Sequence, residues 1–243
     1  MFSDDIIQEI RAYALAEARE GREACGLVLA DRFMPCVNKA EDPAQEFRIA
    51  PDVYAAHAND VRAIVHSHLA SQGNYPSRED MEGQIASAVP WGIAFIENDY
   101  VRDLFWWGDG VPMAPLVGRE FRHGVHDCYS AVRDWYRVEK AIILPEVPRD
   151  YEWWANGKDN LYVDQFLQHG FVRISESEVQ PGDGFLAQIM ADKPNHAGIY
   201  VGDGLIFHHL VMRLSKFDPV GRWGTKFVTH WLRFVGKPSG EKS

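Results

Sequence analysis

The chain has 243 residues, of which 46 % are apolar and 25 % charged, a globular balance that allows one large domain or two of ordinary size. Its net charge of −10 argues against non-specific nucleic-acid binding, which needs a basic surface. The N-terminus lacks the features of a signal peptide, and no apolar run is long enough for a membrane span. Three cysteines, Cys25, Cys36 and Cys128, give no disulfide framework, so we expect a protein made and kept reduced in a cytoplasm.

The first half of the chain alternates helix and strand patterns, which predicts an α/β unit. Apolar residues recur with helical period over residues 4–20, and Ser3 or Asp4 is a suitable N-cap. The further predicted elements are strands at 26–29, 47–49, 63–65, 91–97 and 103–107, and helices at 52–59 and 78–88.

Turn residues at 108–112 place a domain boundary between 108 and 119, and we divide the chain into domains of residues 1–112 and 113–243. The predicted elements of the second domain are helices at 127–140 and 164–169 and strands at 185–189, 196–201, 205–210 and 226–235. The tail, 237–243, is expected to be disordered. The predicted fold class is therefore α+β, with two domains in series.

The first candidate site combines two histidines with a carboxylate. His66 and His68 end a predicted strand, and a spacing of two residues puts both imidazoles on one face. Asp80 lies in the first turn of the helix that follows. Two histidines and one carboxylate suit a catalytic zinc, which keeps its fourth position for water. Glu23 is the candidate base, and Ser77 is expected either to cap the helix or to donate to an oxyanion.

This set resembles the JAMM (MPN/Mov34) metallopeptidase motif, and the resemblance implies an N-terminal domain with a deaminase-like three-layer fold. The matching residues are Glu23, His66, Ser67, His68, Ser77 and Asp80. The resemblance implies that His66, His68 and Asp80 bind Zn²⁺ and that Glu23 is the base. The loop between His68 and Asp80 holds one residue more than is usual in that family.

The second candidate site is built around a thiol. Cys128 begins a predicted helix, where unpaired backbone N–H groups favour the thiolate and lower the thiol pKa. Asp127 is expected to cap that helix. His196, at the start of a strand, is the candidate base, so the sulfur and this imidazole must meet in one cleft. His208 and His209 both offer a third group to orient the imidazole.

Strand parity leaves the choice between the two histidines open. A two-residue turn at 203–204 would bring His209 onto the face of His196. A three-residue turn at 202–204, of a kind often closed by a bulge, would bring His208 there instead.

The second half also resembles the NlpC/P60 cysteine peptidases, which implies a papain-like α+β domain. The matching residues are Asp127-Cys128, Pro181-Gly182-Asp183, Asn195 to Gly204, and His208. On this resemblance Cys128 is the nucleophile, His196 the base and His208 the orienting residue. Tyr129 stands where the family usually has a small residue.

Together the two domains resemble tail-tip assembly proteins of long-tailed phages. That resemblance implies a virion protein, made in the host cytoplasm, that cleaves γ-D-glutamyl–diaminopimelate-type bonds of peptidoglycan stem peptides at the host wall during DNA delivery. Its implied partners are the stem peptide and other tail-tip proteins. The zinc domain would cut a tail protein or a second wall bond. Two alternatives are a structural tail component with vestigial sites and a bacterial JAMM-type isopeptidase.

Overall fold

The computed structural model describes residues 2–157 and 160–236, and the chain divides between Pro112 and Met113 into two compact units. Each unit has its own sheet with helices packed on it, which confirms the predicted α+β class. The tail at 237–243, predicted to be disordered, lies outside the described residues.

The N-terminal unit is a five-stranded sheet with three helices. Its helices are α1 (Asp4–Arg19), α2 (Pro51–His57) and α3 (Arg78–Ser87), and its strands are β1 (Cys25–Val28), β2 (Phe33–Cys36), β3 (Ala63–Leu69), β4 (Trp91–Glu97) and β5 (Tyr100–Trp107). The strand order is β2-β1-β3-β4-β5, and only β3 and β4 run parallel.

Helix α1 covers one face of this sheet. It begins where the Ser3 hydroxyl accepts a hydrogen bond from the N–H of Ile6, as predicted for an N-cap. Ile6, Ile10 and Ala14 pack from the helix into the main apolar core of the unit. Because strand side chains alternate between faces, the opposite face is left for polar residues of β3.

The predicted strand at 47–49 is wrong, since these residues form irregular structure and β2 pairs with β1 instead. The N–H of Arg48 donates to the side-chain oxygen of Asn38 rather than to a strand ladder. The ring of Phe47 stacks on His66, with 4.3 Å between ring centroids. The apolar segment therefore covers a candidate metal ligand rather than extending the sheet.

The C-terminal unit is a six-stranded antiparallel sheet. Its helices are α4 (Cys128–Lys140), α5 (Leu161–Gln165) and α6 (Gly221–Lys226), and its strands are β6 (Phe171–Ile174), β7 (Gly184–Ala187), β8 (His196–Gly202), β9 (Leu205–His208), β10 (Lys216–Pro219) and β11 (Val228–Phe234). The strand order is β10-β9-β8-β7-β11-β6. The helix predicted at 164–169 begins earlier, at Leu161, and ends at Gln165.

Helix α4 packs on the middle of this sheet. Ala131, Val132 and Tyr136 of α4 share a buried core with Ala197 and Ile199 of β8. A second apolar cluster contains four buried residues of β7, β9 and β11, namely Phe185, Ala187, Ile206 and Trp231. The N-terminal end of α4 therefore lies against the beginning of β8.

The β8–β9 hairpin combines one feature from each predicted alternative. Its turn has two residues, Asp203 and Gly204, both with positive φ (51° and 71°). The register then shifts between Tyr200 and Gly202, which is a β-bulge. The extra residue, Val201, changes which side chains of β9 share a face with His196, so that His208 and not His209 lies on that face.

Candidate active sites

Three side chains of the N-terminal unit converge on one point. His66 Nε2 lies 3.0 Å from His68 Nε2 and 3.2 Å from Asp80 Oδ1, and His68 Nε2 lies 3.4 Å from Asp80 Oδ2. All three residues are buried. The structure thus brings together the three predicted ligands, two from β3 and one from the first turn of α3.

Local hydrogen bonds orient two of these ligands, His68 and Asp80. His68 Nδ1 lies 3.1 Å from the carbonyl oxygen of Gly73, so Nδ1 carries the proton and Nε2 offers its lone pair to the site. Ser77 is the N-cap of α3: its hydroxyl accepts from the N–H of Asp80, and its own N–H donates to Asp80 Oδ2 at 2.8 Å. This capping box holds Asp80 toward both imidazoles.

The donor set fits a zinc ion. A tetrahedral zinc with bonds of about 2.0–2.1 Å holds its ligand atoms roughly 3.3 Å apart, close to the separations observed here. The ligand atoms of His66, His68 and Asp80 all lie within 4.8 Å of one another. Burial alone would raise the pKa of Asp80, but the two imidazoles outweigh it and hold that pKa well below its ordinary value. The carboxylate is therefore ionised and able to ligate a cation.

Glu23 stands just before β1, which pairs with β3. The N–H of Ala24 donates to the Ser67 hydroxyl at 2.8 Å, and this bond ties the Glu23 segment to the strand that carries both histidines. The Glu23 carboxylate accepts a hydrogen bond from the side-chain amide of Gln72. Burial raises the pKa of Glu23, an effect that the nearby His66 opposes. A carboxylate with a raised pKa is suited to taking a proton near neutral pH.

In the C-terminal unit, Cys128 is the first residue of α4 and is buried. Its sulfur lies 3.3 Å from the phenolic oxygen of Tyr162, and Cys128 shares a buried core cluster with Ala197, the residue after His196. Asp127 caps the helix by accepting from the N–H of Ser130 at 3.0 Å. The structure thus places the predicted nucleophile against the strand segment that carries the predicted base.

The expectation that the helix terminus lowers the Cys128 pKa is wrong for this structure. Burial raises the pKa of the thiol to about 11, and the charge of Asp127 adds to that rise. The hydrogen bonds from Tyr162 and Ala197 act in the opposite direction but do not outweigh it. Burial also lowers the pKa of His196 well below its ordinary value, with the neighbouring His208 as the next cause. The resting pair is therefore a neutral thiol and a neutral imidazole.

A line of hydrogen bonds runs from His196 to the edge of the sheet. His196 Nε2 lies 3.1 Å from His208 Nδ1, and His208 Nε2 lies 3.0 Å from Asp218 Oδ2. The ring of Trp223 packs against both imidazoles, with centroid distances of 5.6 and 4.6 Å. His209 takes no part, since its Nε2 lies 3.1 Å from the carbonyl oxygen of Arg213. His208 is thus the residue that contacts His196.

An apolar pocket borders the second site. Tyr162, whose hydroxyl lies 3.3 Å from the Cys128 sulfur, forms part of its wall together with Tyr129, Phe185 and Ala197. Tyr129, which replaces a small residue of the NlpC/P60 motif, therefore shapes this pocket. Its hydroxyl donates to the carbonyl oxygen of Pro145 at 2.9 Å.

Sequence reasoning missed two residues of this site. Tyr162 lies in a short helix without a motif, and Asp218 lies on the edge strand β10, which was not predicted. Alternation of Lys216, Phe217 and Asp218 after the His208 segment is the only sequence signal for that strand, and it is weak.

Comparison with known proteins gives a family match for each unit. A model of the NlpC/P60 family matches residues 118–231, and a model of prokaryotic homologues of the JAB domain matches residues 4–108. The NlpC/P60 match contains the residues of the thiol site, and the JAB match contains those of the candidate metal site. Among the described residues, no helix is long and apolar enough to cross a membrane.

Two curated relatives resemble the chain over most of its length. It is 36 % identical to tail tip assembly protein K of Escherichia phage N15, over 94 % of this chain and 93 % of that protein. It is 38 % identical to tail tip assembly protein K of Escherichia phage lambda, over 71 % of this chain and 81 % of that protein. A solved NlpC/P60 family protein from Bacillus cereus ATCC 10987 has a TM-score of 0.34 at 12 % identity, over 90 % of this chain and 66 % of that chain.

Proposed function

Because the chain belongs to the tail tip assembly protein K family of phages, we propose that it is a tail-tip peptidoglycan hydrolase that opens the host cell wall as DNA is delivered. Its chemistry is that of a cysteine peptidase, and its substrate is the γ-D-glutamyl–diaminopimelate-type bond of the stem peptide. The observation that carries this proposal is the buried Cys128 at the start of α4, in one core cluster with Ala197, the residue that follows His196. The protein is made in the host cytoplasm, joins other tail-tip proteins in the virion and acts at the wall.

The proposed reaction is acyl transfer through a thioester. As the Cys128 sulfur attacks the carbonyl carbon of the scissile bond, His196 takes the thiol proton. His196 then gives this proton to the leaving amine nitrogen, the C–N bond breaks, and a thioester remains on Cys128. Water attacks the thioester carbon and passes a proton to His196. The carboxylic acid product leaves, and His196 returns the proton to the sulfur, so that one water is consumed for each bond cut.

The neutral resting pair makes proton transfer part of the attack step. A thiol with a pKa of about 11 is almost entirely protonated at neutral pH. The imidazole of His196 is uncharged there because its pKa is lowered, so it is free to accept a proton. In this scheme Cys128 is activated by a general base during attack, rather than resting as a preformed thiolate.

For the N-terminal unit we propose a zinc site made by His66, His68 and Asp80, since their ligand atoms have the separations that zinc requires. Zinc, when bound there, supplies a water that loses its proton near neutral pH. In this proposal Glu23 would accept that proton, and the Ser77 hydroxyl would donate to an oxyanion. The substrate of this site is a tail protein cut during maturation, or a second bond in the wall.

Digestion of purified peptidoglycan tests the proposal. The wild-type chain and the Cys128→Ala, His196→Ala and His66→Ala variants are incubated with peptidoglycan, and the released fragments are identified by mass spectrometry. Cys36→Ala is the matched control, because it removes a buried thiol of the other unit. We expect wild type, Cys36→Ala and His66→Ala to release fragments ending in D-glutamate, and Cys128→Ala and His196→Ala to release none.

Other outcomes favour the rival functions. If Cys128→Ala digests the wall and supports plaque formation as wild type does, the second site is vestigial and the chain is a structural tail part. If a chelator or His66→Ala abolishes cleavage of a protein substrate while Cys128→Ala does not, the metal site carries the activity, as in an isopeptidase.

A further inference from the structure

His208 stands between two partners that differ in chemistry. Its Nδ1 faces His196 Nε2 at 3.1 Å, and its Nε2 faces the Asp218 carboxylate at 3.0 Å. Asp218 lies on β10, whose Lys216 pairs directly with His208 in the strand register. The Lys216 ammonium lies 2.9 Å from the other Asp218 oxygen. Both oxygens of this carboxylate are thus engaged.

These contacts fix the position of each ring proton. An ionised carboxylate only accepts hydrogen bonds, so the contact with Asp218 requires a proton on His208 Nε2. A neutral imidazole has one N–H, which leaves His208 Nδ1 as an acceptor. His196 Nε2 must then carry the proton that His208 Nδ1 accepts. His196 Nδ1 keeps a lone pair, and this is the nitrogen that can take the thiol proton.

We propose that Asp218 is a positioning residue of the cysteine peptidase site, which sets the tautomers of His208 and, through it, of His196. It touches neither the sulfur nor His196 and acts through His208 alone. The proposal rests on the proposed function, because it assigns His196 as the base for Cys128.

The surroundings favour this arrangement. Trp223 packs on both imidazole rings and limits their rotation. The charged and titratable groups that act on His208 are Asp218 and Lys216, and those that act on His196 are His208, His209 and Asp127. Among the residues that the structure describes, Asp218 is the one whose carboxylate lies within hydrogen-bond distance of His208.

Imidazole ¹⁵N spectra of the full chain test the tautomers without any enzyme assay. Nitrogens with and without a proton differ in chemical shift and in their couplings to the ring C–H protons. His196→Gln and His208→Gln serve only to assign the signals. In the wild type at pH 7.5 we expect the proton of both rings on Nε2. Asp218→Ala should show a growing Nδ1–H population of both rings, and Asp218→Glu should restore the wild-type pattern. A wild-type His208 protonated on Nδ1 would overturn the proposal.

Kinetics with peptidoglycan fragments give the second readout. We expect Asp218→Ala to lower kcat roughly 10- to 100-fold at unchanged KM, less than the about 10⁴-fold loss known when the group that directly holds a catalytic histidine is altered. Asp218→Glu should recover most of that loss. Asp192→Ala, an exposed aspartate in the loop before β8, is the control and should match wild type.

The two proposals fail in different ways. If wild type cleaves nothing, the proposed function fails, and the ¹⁵N spectra still decide the role of Asp218. If wild type cleaves the wall while Asp218→Ala keeps both its kcat and the wild-type tautomers, the role of Asp218 is refuted and the peptidase proposal stands.

Discussion

The sulfur of Cys128 lies 3.3 Å from the phenolic oxygen of Tyr162, although 34 residues separate them in the chain. Two aromatic rings pack against Tyr162. The centroid of its ring lies 5.0 Å from that of Trp153 and 6.2 Å from that of Tyr129. An ionised sulfur can only accept a hydrogen bond, so the phenol must donate once the thiolate forms. Tyr162 therefore stabilises the ionised state that burial disfavours.

Replacing Tyr162 by Phe should make Cys128 less reactive. Loss of a hydrogen bond to a charged group costs about 1.5–3 kcal/mol, which corresponds to a roughly tenfold or greater fall in thiolate population at fixed pH. The measurement is the rate of Cys128 alkylation by iodoacetamide at pH 8, followed by peptide mass spectrometry. Tyr129→Phe removes a hydroxyl that bonds Pro145 instead of the sulfur and should leave the rate within about twofold. Equal rates for wild type and Tyr162→Phe would contradict this role.

Alkylation of Cys128 should also rise steeply with pH. Because burial raises its pKa to about 11, the thiolate fraction between pH 7 and 9 grows about tenfold per pH unit, without a plateau. A preformed thiolate–imidazolium pair would instead give a rate that is flat over this range. Cys25, whose pKa is raised by burial to about 12, is an internal reference in the same samples. A flat profile for Cys128 would show that the resting pair is ionised.

The raised pKa of Cys128 should also make the stability of the protein depend on pH. The folded-state pKa of Cys128 lies above the ordinary value of 9.0, so the thiol contributes stability that is complete below about pH 9 and lost as pH rises toward 11. The midpoint of thermal unfolding should therefore fall less above pH 9 in Cys128→Ala than in wild type.

Residues close in sequence were the predictable part of both sites. The spacing of His66 and His68 on a strand fixes their common face, and the capping box of Ser77 and Asp80 fixes where α3 begins. These are local rules, so they hold without knowledge of the rest of the fold. Glu23 was a candidate base from its position just before a predicted strand, and the family resemblance supported it. No local rule brings it close to β3, because that approach depends on the pairing of β1 with β3.

The unpredicted features depend on tertiary structure. Strand parity alone could not choose between His208 and His209, because the choice follows from a bulge near Val201 that leaves no mark in the bare apolar pattern. It was the family resemblance that pointed to His208. Tyr162 and Asp218 reach the site from elements outside the motifs. The rise in the Cys128 pKa comes mainly from burial, which outweighs the helix terminus and cannot be judged before packing is known.

The N-terminal unit should bind one zinc ion per chain. Equilibrium dialysis with metal analysis should give a stoichiometry near one for wild type, and zinc should raise the unfolding temperature of this unit, since a ligand of the folded state stabilises it. Asp80→Asn removes the charged ligand and should weaken binding at least 10- to 100-fold. Asp52→Asn makes the same change at an exposed position of α2 and should bind as wild type does. Equal zinc affinity for Asp80→Asn and Asp52→Asn would exclude this site.

Asp127→Ala should destabilise the C-terminal unit by about 3–5 kcal/mol, because it leaves the buried Arg149 guanidinium without its partner. Arg149 Nε donates to Asp127 Oδ2 at 3.1 Å, and the N–H of Gly124 donates to the same oxygen at 2.8 Å. The pKa of Asp127 is held below its ordinary value because Arg149 outweighs the effect of burial. Urea unfolding followed by tryptophan fluorescence gives the change in the free energy of unfolding.

A double variant separates the ion pair from the helix cap. Loss of a cap alone costs about 1 kcal/mol, the value expected for Ser3→Ala at the start of α1. Asp127→Ala with Arg149→Leu removes both buried charges, so it should be more stable than Asp127→Ala alone, since no unpaired charge remains. If the effects of the two substitutions on the free energy of unfolding are additive, the large cost of Asp127→Ala does not come from the unpaired guanidinium. The pairing of Asp127 with Arg149 is then not what holds the start of α4 in place.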